Sequence, residues 1–413
     1  MALRILHNEL FSHHVGVMQR LLSSERVLSS AARTAAALDT SNPDGGEASN
    51  KKTAQPKIVA SFRTQESNPT KHKESHLSRY YTVPGDISKT LFQYGGLPKA
   101  YEKLCHIFTE TAIMVRKPYL EVTNCIESVD FSKPAVRIVL YGKPGHGKSM
   151  TLAHVVHYGY SAGFMLVHVP WVNTFMRRCK DASPSESKPG MMDVPIDAAA
   201  WLVQFRTQNQ HLLKTLNLKT SKPYQYGPRD IIEQGEPIDA LIEFGIGRAK
   251  YACDVVEALL REIKGFSNSG LVKTMVVIDG FNGLFAPNLK TQRRKILEAK
   301  CTLALPFLEI TQFDWCNGVV ILSVDQLAHH DMFKAESNLP LYLLGKEGWE
   351  HIDPFIPIMV DKYDTAEMNS SLDFYIDRRW IQHPGGQTEA GRAELRSLCA
   401  GNGFELMNLC APL

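Results

Sequence analysis

The chain has 413 residues, 44% of them hydrophobic and 22% charged, with a formal net charge of +3. It is long enough to bury a large core, and too weakly charged for charge alone to argue for nucleic acid. Its eight cysteines (Cys105, Cys125, Cys179, Cys253, Cys301, Cys316, Cys399, Cys410) include no C-x-x-C pair, a spacing that suits neither a zinc site nor a disulfide framework. No apolar run approaches the ~20 residues that a membrane span needs.

Residues 1 to about 40 carry Arg4, Arg20, Arg26 and Arg33, with serines and alanines between them and Leu3, Ile5, Leu6, Leu10, Phe11 and Val15 as an apolar set. Only Glu9 and Glu25 interrupt this stretch before Asp39, so it is expected to be a mitochondrial transit peptide. Residues 41–79 have few large apolar side chains. From Lys51 onward they hold Lys51, Lys52, Lys57, Arg63, Lys71, Lys73 and Arg79 against Glu66 and Glu74. That composition predicts a disordered basic arm, either a solvated tail or a segment resting on RNA phosphates. Order is expected from Tyr80, followed by a helix over Leu97–Val115.

Val136–Tyr141 then reads as a buried strand. Directly after it, Gly142-Lys143-Pro144-Gly145-His146-Gly147-Lys148-Ser149 fits the phosphate-loop pattern G-x-x-x-x-G-K-[ST]. Met150 follows, and Leu152, Val155, Val156 and Gly159 recur at helical spacing, as a helix opening at the loop requires. Glycines let successive backbone N–H groups converge on an anion, and the helix N-terminus adds positive potential. In this pattern Lys148 reaches the outer phosphates and the Ser149 hydroxyl sits on Mg²⁺.

Further along, Phe164–Val169 predicts a second strand, and 179–193 a polar loop. Residues 197–217, with Ala200, Leu202, Val203 and Phe205, predict a helix, as do residues 238–263. Leu271–Asp279 is an apolar strand ending in a carboxylate, placed where a phosphate-loop protein holds the metal shell, so Asp279 is the second expected Mg²⁺ residue. Gly280, Phe281 and Asn282 come next, and none is a general base. The site reads as better built to bind a nucleotide than to hydrolyse it, at most a slow GTPase, with no catalytic residue assigned. A further strand, Gly318–Ser323, ends beside Ser323, Asp325 and Gln326. After residue 340 the pattern turns mostly helical, with Trp349, Phe355, Trp380 and His383 read as core or interface residues.

Strands alternating with helices at this spacing predict an α/β fold with a mainly parallel sheet covered on both faces. The expected organisation is a transit peptide (1–40), a basic arm (41–79), a nucleotide-binding domain (80–340) and a C-terminal helical subdomain or lid (341–413).

Several segments carry a family resemblance. They are Tyr141–His157, Val276–Asn282, Met114–Pro118 and Trp380–His383, and above all Leu343-Leu344-Gly345-Lys346-Glu347-Gly348-Trp349 with Asp353–Ile358. Together they resemble the death-associated protein family, the GTP-binding proteins of the mitochondrial small ribosomal subunit, over roughly residues 80–413. The resemblance implies a phosphate-loop NTPase core of AAA-like type and bound GTP or GDP with Mg²⁺. It also implies contacts with small-subunit ribosomal RNA and ribosomal proteins, a bridge to the large subunit, residence in the mitochondrial matrix and a link to apoptosis. By position, Gly142–Ser149 would hold the phosphates and Asp279 the Mg²⁺ side. Pro144 and His146 depart from the Glu-Lys-Gly-Thr interior of vertebrate members, and Pro144 removes one N–H donor. The chain has no [NT]-K-x-D guanine-reading motif, so the preference for GTP comes from the resemblance, and ATP stays open. The other readings are an active ATPase or GTPase remodeller, with Arg378 or Arg379 as arginine finger, and an apoptotic signalling adaptor.

Overall fold

A computed structural model describes residues 61–411 except 294 and 330–336. The expected transit peptide and residues 41–60 of the expected arm lie outside the described residues. At the centre are five strands, β1 (Val136–Tyr141), β2 (Met165–Val169), β3 (Thr274–Ile278), β4 (Gly318–Ser323) and β5 (Ile356–Met359). All pair in parallel, in the spatial order β5-β1-β4-β3-β2. One layer of the register runs Ile356–Ile138–Ile321–Val277–His168 across the whole sheet.

The strands are apolar throughout because both faces are covered. Side chains alternate between faces with period two. Val139, Val276, Ile278, Val320 and Leu322 enter one core, while Ile138, Leu140, Met275, Val277, Val319 and Ile321 enter the other. From the glycine-rich loop onward the described helices longer than the single turn Asn173–Met176 are α1 (Lys148–Ser161), α2 (Pro195–Thr215), α3 (Ile238–Gly247), α4 (Ala252–Asn268), α5 (Ala304–Ile310), α6 (Pro340–Ile352), α7 (Thr365–Asp377), α8 (Glu389–Cys399) and α9 (Gly403–Leu409). Trp201, Leu202 and Phe205 of α2 lie in the first core with Val255 and Leu259 of α4 and Phe307 of α5. Leu152, Val155 and Val156 of α1 pack in the second core with Tyr119 and Val122 of the helix Lys117–Glu127. None of the described helices is long and apolar enough to cross a membrane.

Four expectations are corrected. Residues 61–79 are ordered: Tyr80 N donates to Phe62 O at 2.8 Å, Tyr119 Oη donates to Pro69 O at 2.7 Å, and the rings of His72 and His154 meet at 2.9 Å. This segment has few large apolar groups, but it inserts Phe62, Pro69 and His72 into prepared sites. The helix expected over Leu97–Val115 runs only over Lys99–Phe108. It stops at Thr109 (φ 52°), and Ala112–Met114 pairs antiparallel with Tyr80–Thr82. The single helix expected over 238–263 is two, α3 and α4, separated at Arg248, which leaves helical geometry (φ −125°, ψ 72°). Finally, the chain is not partitioned at residue 340. β5 lies in the central sheet beside β1, and the described chain up to Cys410 forms one compact unit.

Candidate functional site

Residues 142–147 connect the end of β1 to the start of α1. Three glycines there take left-handed backbone angles, Gly142 (φ 146°), Gly145 (φ 83°) and Gly147 (φ 98°). Gly142 is constrained most tightly. A Cβ on it would sit 2.3 Å from Val360 O, where the chain leaves β5.

The loop's carbonyls are all engaged by protein donors. Lys148 Nζ donates to Gly142 O at 2.6 Å and Lys143 O at 3.0 Å. Asn402 Nδ2 donates to Pro144 O at 3.1 Å and Phe404 N to Gly145 O at 3.3 Å. Arg116 Nη1 donates to His146 O at 2.7 Å, and Gly147 O receives Thr151 N at 2.9 Å. The N–H groups of Gly145, Gly147, Lys148 and Ser149 have no acceptor among the described residues. For Lys148 and Ser149 this follows from helix geometry, because first-turn N–H groups lack an intrahelical carbonyl. A loop with engaged carbonyls and uncommitted N–H groups at a helix N-terminus presents an anion site.

Lys148 is 4% exposed, and its ammonium lies 2.8 Å from Asp325 Oδ2. A buried ammonium is costly without paired oxygens, which these carbonyls and this carboxylate supply. Asp279, at the end of β3, is buried. Burial raises its carboxyl to about 6, while hydrogen bonds from Ser149 and Ser323 oppose the rise. The Ser323 hydroxyl donates to Asp279 Oδ1 and accepts from Gly280 N at 2.9 Å. Asn282 and Asp325 lock to each other: Asn282 Nδ2 donates to Asp325 O and Asp325 N to Asn282 Oδ1, both at 3.0 Å. The sequence-predicted residues Lys148, Ser149 and Asp279 therefore meet in one place, joined by Ser323 and Asp325. Gln326 opens the short turn Gln326–Ala328 that follows.

The remaining loop residues play lesser parts. Met150 packs against the core beneath α1, and Lys143 is exposed. Pro144 gives up its N–H, but its carbonyl anchors Asn402. His146 is nearly buried, its Nδ1 has no partner among the described residues, and burial followed by the nearby Lys148 charge lowers its pKa. An orphaned polar atom at the loop fits a site that takes a polar ligand.

Arg116 was not legible from the sequence as a site residue. It binds Glu367 through Nε (2.8 Å) and Nη2 (3.0 Å), Asp361 O (3.0 Å) and the loop, and it lies 4.6 Å over the Tyr363 ring. No pattern in the sequence links positions 116, 146 and 367. Arg378, the candidate finger, is engaged by Glu110 and Asp377 and lies over Phe374. Arg379 sits in a left-handed turn (φ 54°). Trp380 is buried, with Nε1 donating to Met407 O at 3.3 Å, and Trp349 meets Phe355 edge-on at 5.1 Å. His383 is an exposed cap whose Nδ1 accepts from Gly385 N at 3.0 Å.

Chemically, the arrangement offers N–H donors and an ammonium for an anion, with a hydroxyl–carboxylate pair for a hard cation. Among the described residues no group of three or more His, Cys, Asp or Glu forms a metal cage. Ser149 and Asp279 fit Mg²⁺, which characteristically takes few protein ligands and completes its shell from phosphates and water. The position after Asp279 is closed to a side chain: Gly280 has φ 74°, and a Cβ there would stand 2.8 Å from Trp171 Cζ3.

A family model described as mitochondrial ribosomal death-associated protein 3 matches residues 113–409. The chain is 34% identical over 362 residues to the small ribosomal subunit protein mS29 of Mus musculus, covering 87% of this chain and 91% of that protein. The protein of the same name from Bos taurus is 34% identical over 354 residues, covering 85% and 88%. A Neurospora crassa protein of that name is 24% identical over 189 residues, covering 43% of this chain and 39% of its own length.

Proposed function

The chain belongs to the mitochondrial ribosomal death-associated protein 3 family, and from that membership we propose that it is a structural component of the small subunit of the mitochondrial ribosome. Its partners are then small-subunit RNA and ribosomal proteins, and its place is the mitochondrial matrix.

Within that role its core is a phosphate-loop NTPase of AAA-like type that holds a guanine nucleotide with Mg²⁺ as a folded-in ligand. The strand order supports this reading. β4 lies between the loop-bearing β1 and β3, which Asp279 follows, so the loop and the carboxylate share the carboxyl edge of the sheet, where open α/β sheets bind ligands. The observation that carries it is the loop itself, with every carbonyl from Gly142 to Gly147 engaged and the N–H groups of Gly145, Gly147, Lys148 and Ser149 left for phosphate oxygens. Lys148 would leave Asp325 for the outer phosphates, and Ser149 and Asp279 would hold Mg²⁺. A bound nucleotide's role is to add stability: a ligand that binds only the folded state adds about 2.7 kcal/mol at 100 times its Kd. The closed position at Gly280 supports slow hydrolysis, since no side chain there can orient water.

The test is sedimentation of a mitochondrial lysate, following this protein and small-subunit RNA across the gradient. Comigration that survives moderate salt is the expected result. A free or ring-sized peak returns the remodeller reading to first place.

A further inference from the structure

Two peptide units of the glycine-rich loop each combine an engaged carbonyl with an uncommitted N–H. In the first the carbonyl belongs to Pro144 and the N–H to Gly145; in the second the carbonyl belongs to His146 and the N–H to Gly147. Both units are trans, since the one cis bond among the described residues is Asp353–Pro354. A trans peptide is planar, with its C=O and N–H pointing in opposite directions. Whatever holds the carbonyl therefore aims the N–H.

The two holders come from distant parts of the chain. Arg116 Nη1 donates to His146 O at 2.7 Å from just ahead of the helix Lys117–Glu127. Asn402 Nδ2 donates to Pro144 O at 3.1 Å from just ahead of α9. With the other end of its amide Asn402 caps α9: its Oδ1 accepts from Phe404 N at 3.0 Å and Glu405 N at 3.2 Å. Phe404 N is shared with the loop, donating also to Gly145 O at 3.3 Å. The approach is close, because a Cβ on Gly145 would stand 2.3 Å from Asn402 Oδ1. Tyr363 backs both holders. Its N–H donates to Gly401 O at 2.8 Å, a Cβ on Gly403 would lie 2.7 Å from its Cζ, and its ring lies 4.6 Å from the Arg116 guanidinium. α9 itself has seven residues and buries Leu406 and Met407. A helix that short is marginal alone, so the bonds at its first turn matter to it.

We infer that Asn402 is a positioning residue of the phosphate loop, and that through it nucleotide binding is coupled to the docking of α9. The inference rests on the nucleotide-binding reading of the loop. A phosphate oxygen accepting from Gly145 N–H polarises that peptide and strengthens the bond from Asn402 to its carbonyl. Such coupling is reciprocal: a nucleotide fastens α9 by the same factor by which docked α9 sharpens the loop.

The test is made at Asn402, which is half-buried and uncharged, because removing Arg116 would leave Glu367 buried without its cation. The full chain is prepared as Asn402→Ser and Asn402→Ala. Serine keeps an N-cap oxygen for α9 but lacks the amide that reaches Pro144 O, whereas alanine lacks both. Affinity is measured by titration calorimetry with GDP and with ADP, each with Mg²⁺. Both variants should bind about tenfold more weakly than wild type, the scale of one hydrogen bond to a charged group. Amide hydrogen exchange of α9 is followed in parallel. Nucleotide should slow it about tenfold in the wild type and leave it unchanged in Asn402→Ser, by the reciprocity above.

A serine variant that binds as wild type while alanine binds weakly would mean that the loop responds only to fraying of α9, and overturns the inference. So does wild-type α9 exchange that nucleotide does not alter. Thermal unfolding of Asn402→Ser without nucleotide should match wild type, because the cap is kept. A serine variant that loses its cooperative melting would make Asn402 a structural residue and also overturns the inference. A wild-type chain that takes up neither nucleotide strikes the nucleotide reading itself, and this inference with it, and is seen without any substitution.

Discussion

The two halves of the proposed nucleotide site are built in opposite ways. The half after β1 is open: glycines, uncommitted N–H groups, and a lysine held by oxygens that a phosphate could replace. The half after β3 is closed. Asp279 is buried under Ser149 and Ser323, Asn282 and Asp325 lock each other, and Trp171 fills the space beside Gly280. The difference teaches that the features needed to bind a nucleotide and those needed to hydrolyse it can be built separately around one sheet edge. The first needs backbone geometry, the second a placed base and room for water.

The largest expected effect strikes the open half. Gly142→Val should cost about 4 kcal/mol, because the new side chain meets a backbone carbonyl at a left-handed position, and should abolish nucleotide retention. Urea unfolding of the purified chain checks it, and a loss under 1 kcal/mol would show that the loop relaxes freely. Next is Lys148→Ala. The variant should lose bound nucleotide and with it the nucleotide-dependent stabilisation, about 2.7 kcal/mol at 100 times Kd. The readout is the difference in melting temperature with and without nucleotide, which removes the effect of the lost Asp325 pair. A variant that sheds nucleotide yet melts as the wild type would sink the idea of a structural ligand.

Gly280→Glu probes the closed half. Supplying the missing carboxylate should not create turnover, and should destabilise by about 2 kcal/mol through strain and the contact with Trp171. Steady phosphate release by this variant would mean the half is closed only by the absence of a base.

The smallest effect is in pH dependence, where the halves oppose each other. Beneath the loop, α1 carries His154 and His157, packed with His72. Burial lowers all three, His157 to about 4. Their folded-state values lie below the unfolded value near 6.5, so the stability they contribute is complete above that pH and is lost as pH falls toward 4. Asp279 is shifted the other way: its contribution is complete below 3.8 and is lost as pH rises through about 6. Three rings outweigh one carboxyl, so stability should fall between pH 6.5 and 4, by on the order of 2 kcal/mol. Asp279→Asn should make that fall steeper, as denaturant titrations at a series of pH values would reveal. Stability that holds level or rises toward pH 4 would refute the assignment.

What the sequence made legible follows the range of the interactions. The strand–loop–helix unit around Lys148 is local, and so are the apolar strands ending at Asp279 and Ser323, so pattern alone located them. β5 escaped because it is only four residues long, contains Pro357 and shows three exposed positions out of four. It is a strand because β1 lies beside it. Residues 61–79 escaped for the same reason: their order depends on Tyr119 and His154, which the chain reaches only later. The braces on the loop come from Arg116, Asn402 and Phe404, and no local periodicity connects Asn402 with Pro144, 258 residues away.

In the proposed function the nucleotide is held and not consumed. The direct measurement is the nucleotide content of the full chain purified without added nucleotide, followed by single-turnover hydrolysis of labelled GTP with Mg²⁺. The prediction is close to one guanine nucleotide per chain and hydrolysis slower than about 10⁻² s⁻¹, the rate of an enzyme with its arginine in place. A chain that arrives empty and does not take up GTP, or one that turns it over steadily above that rate, would contradict it.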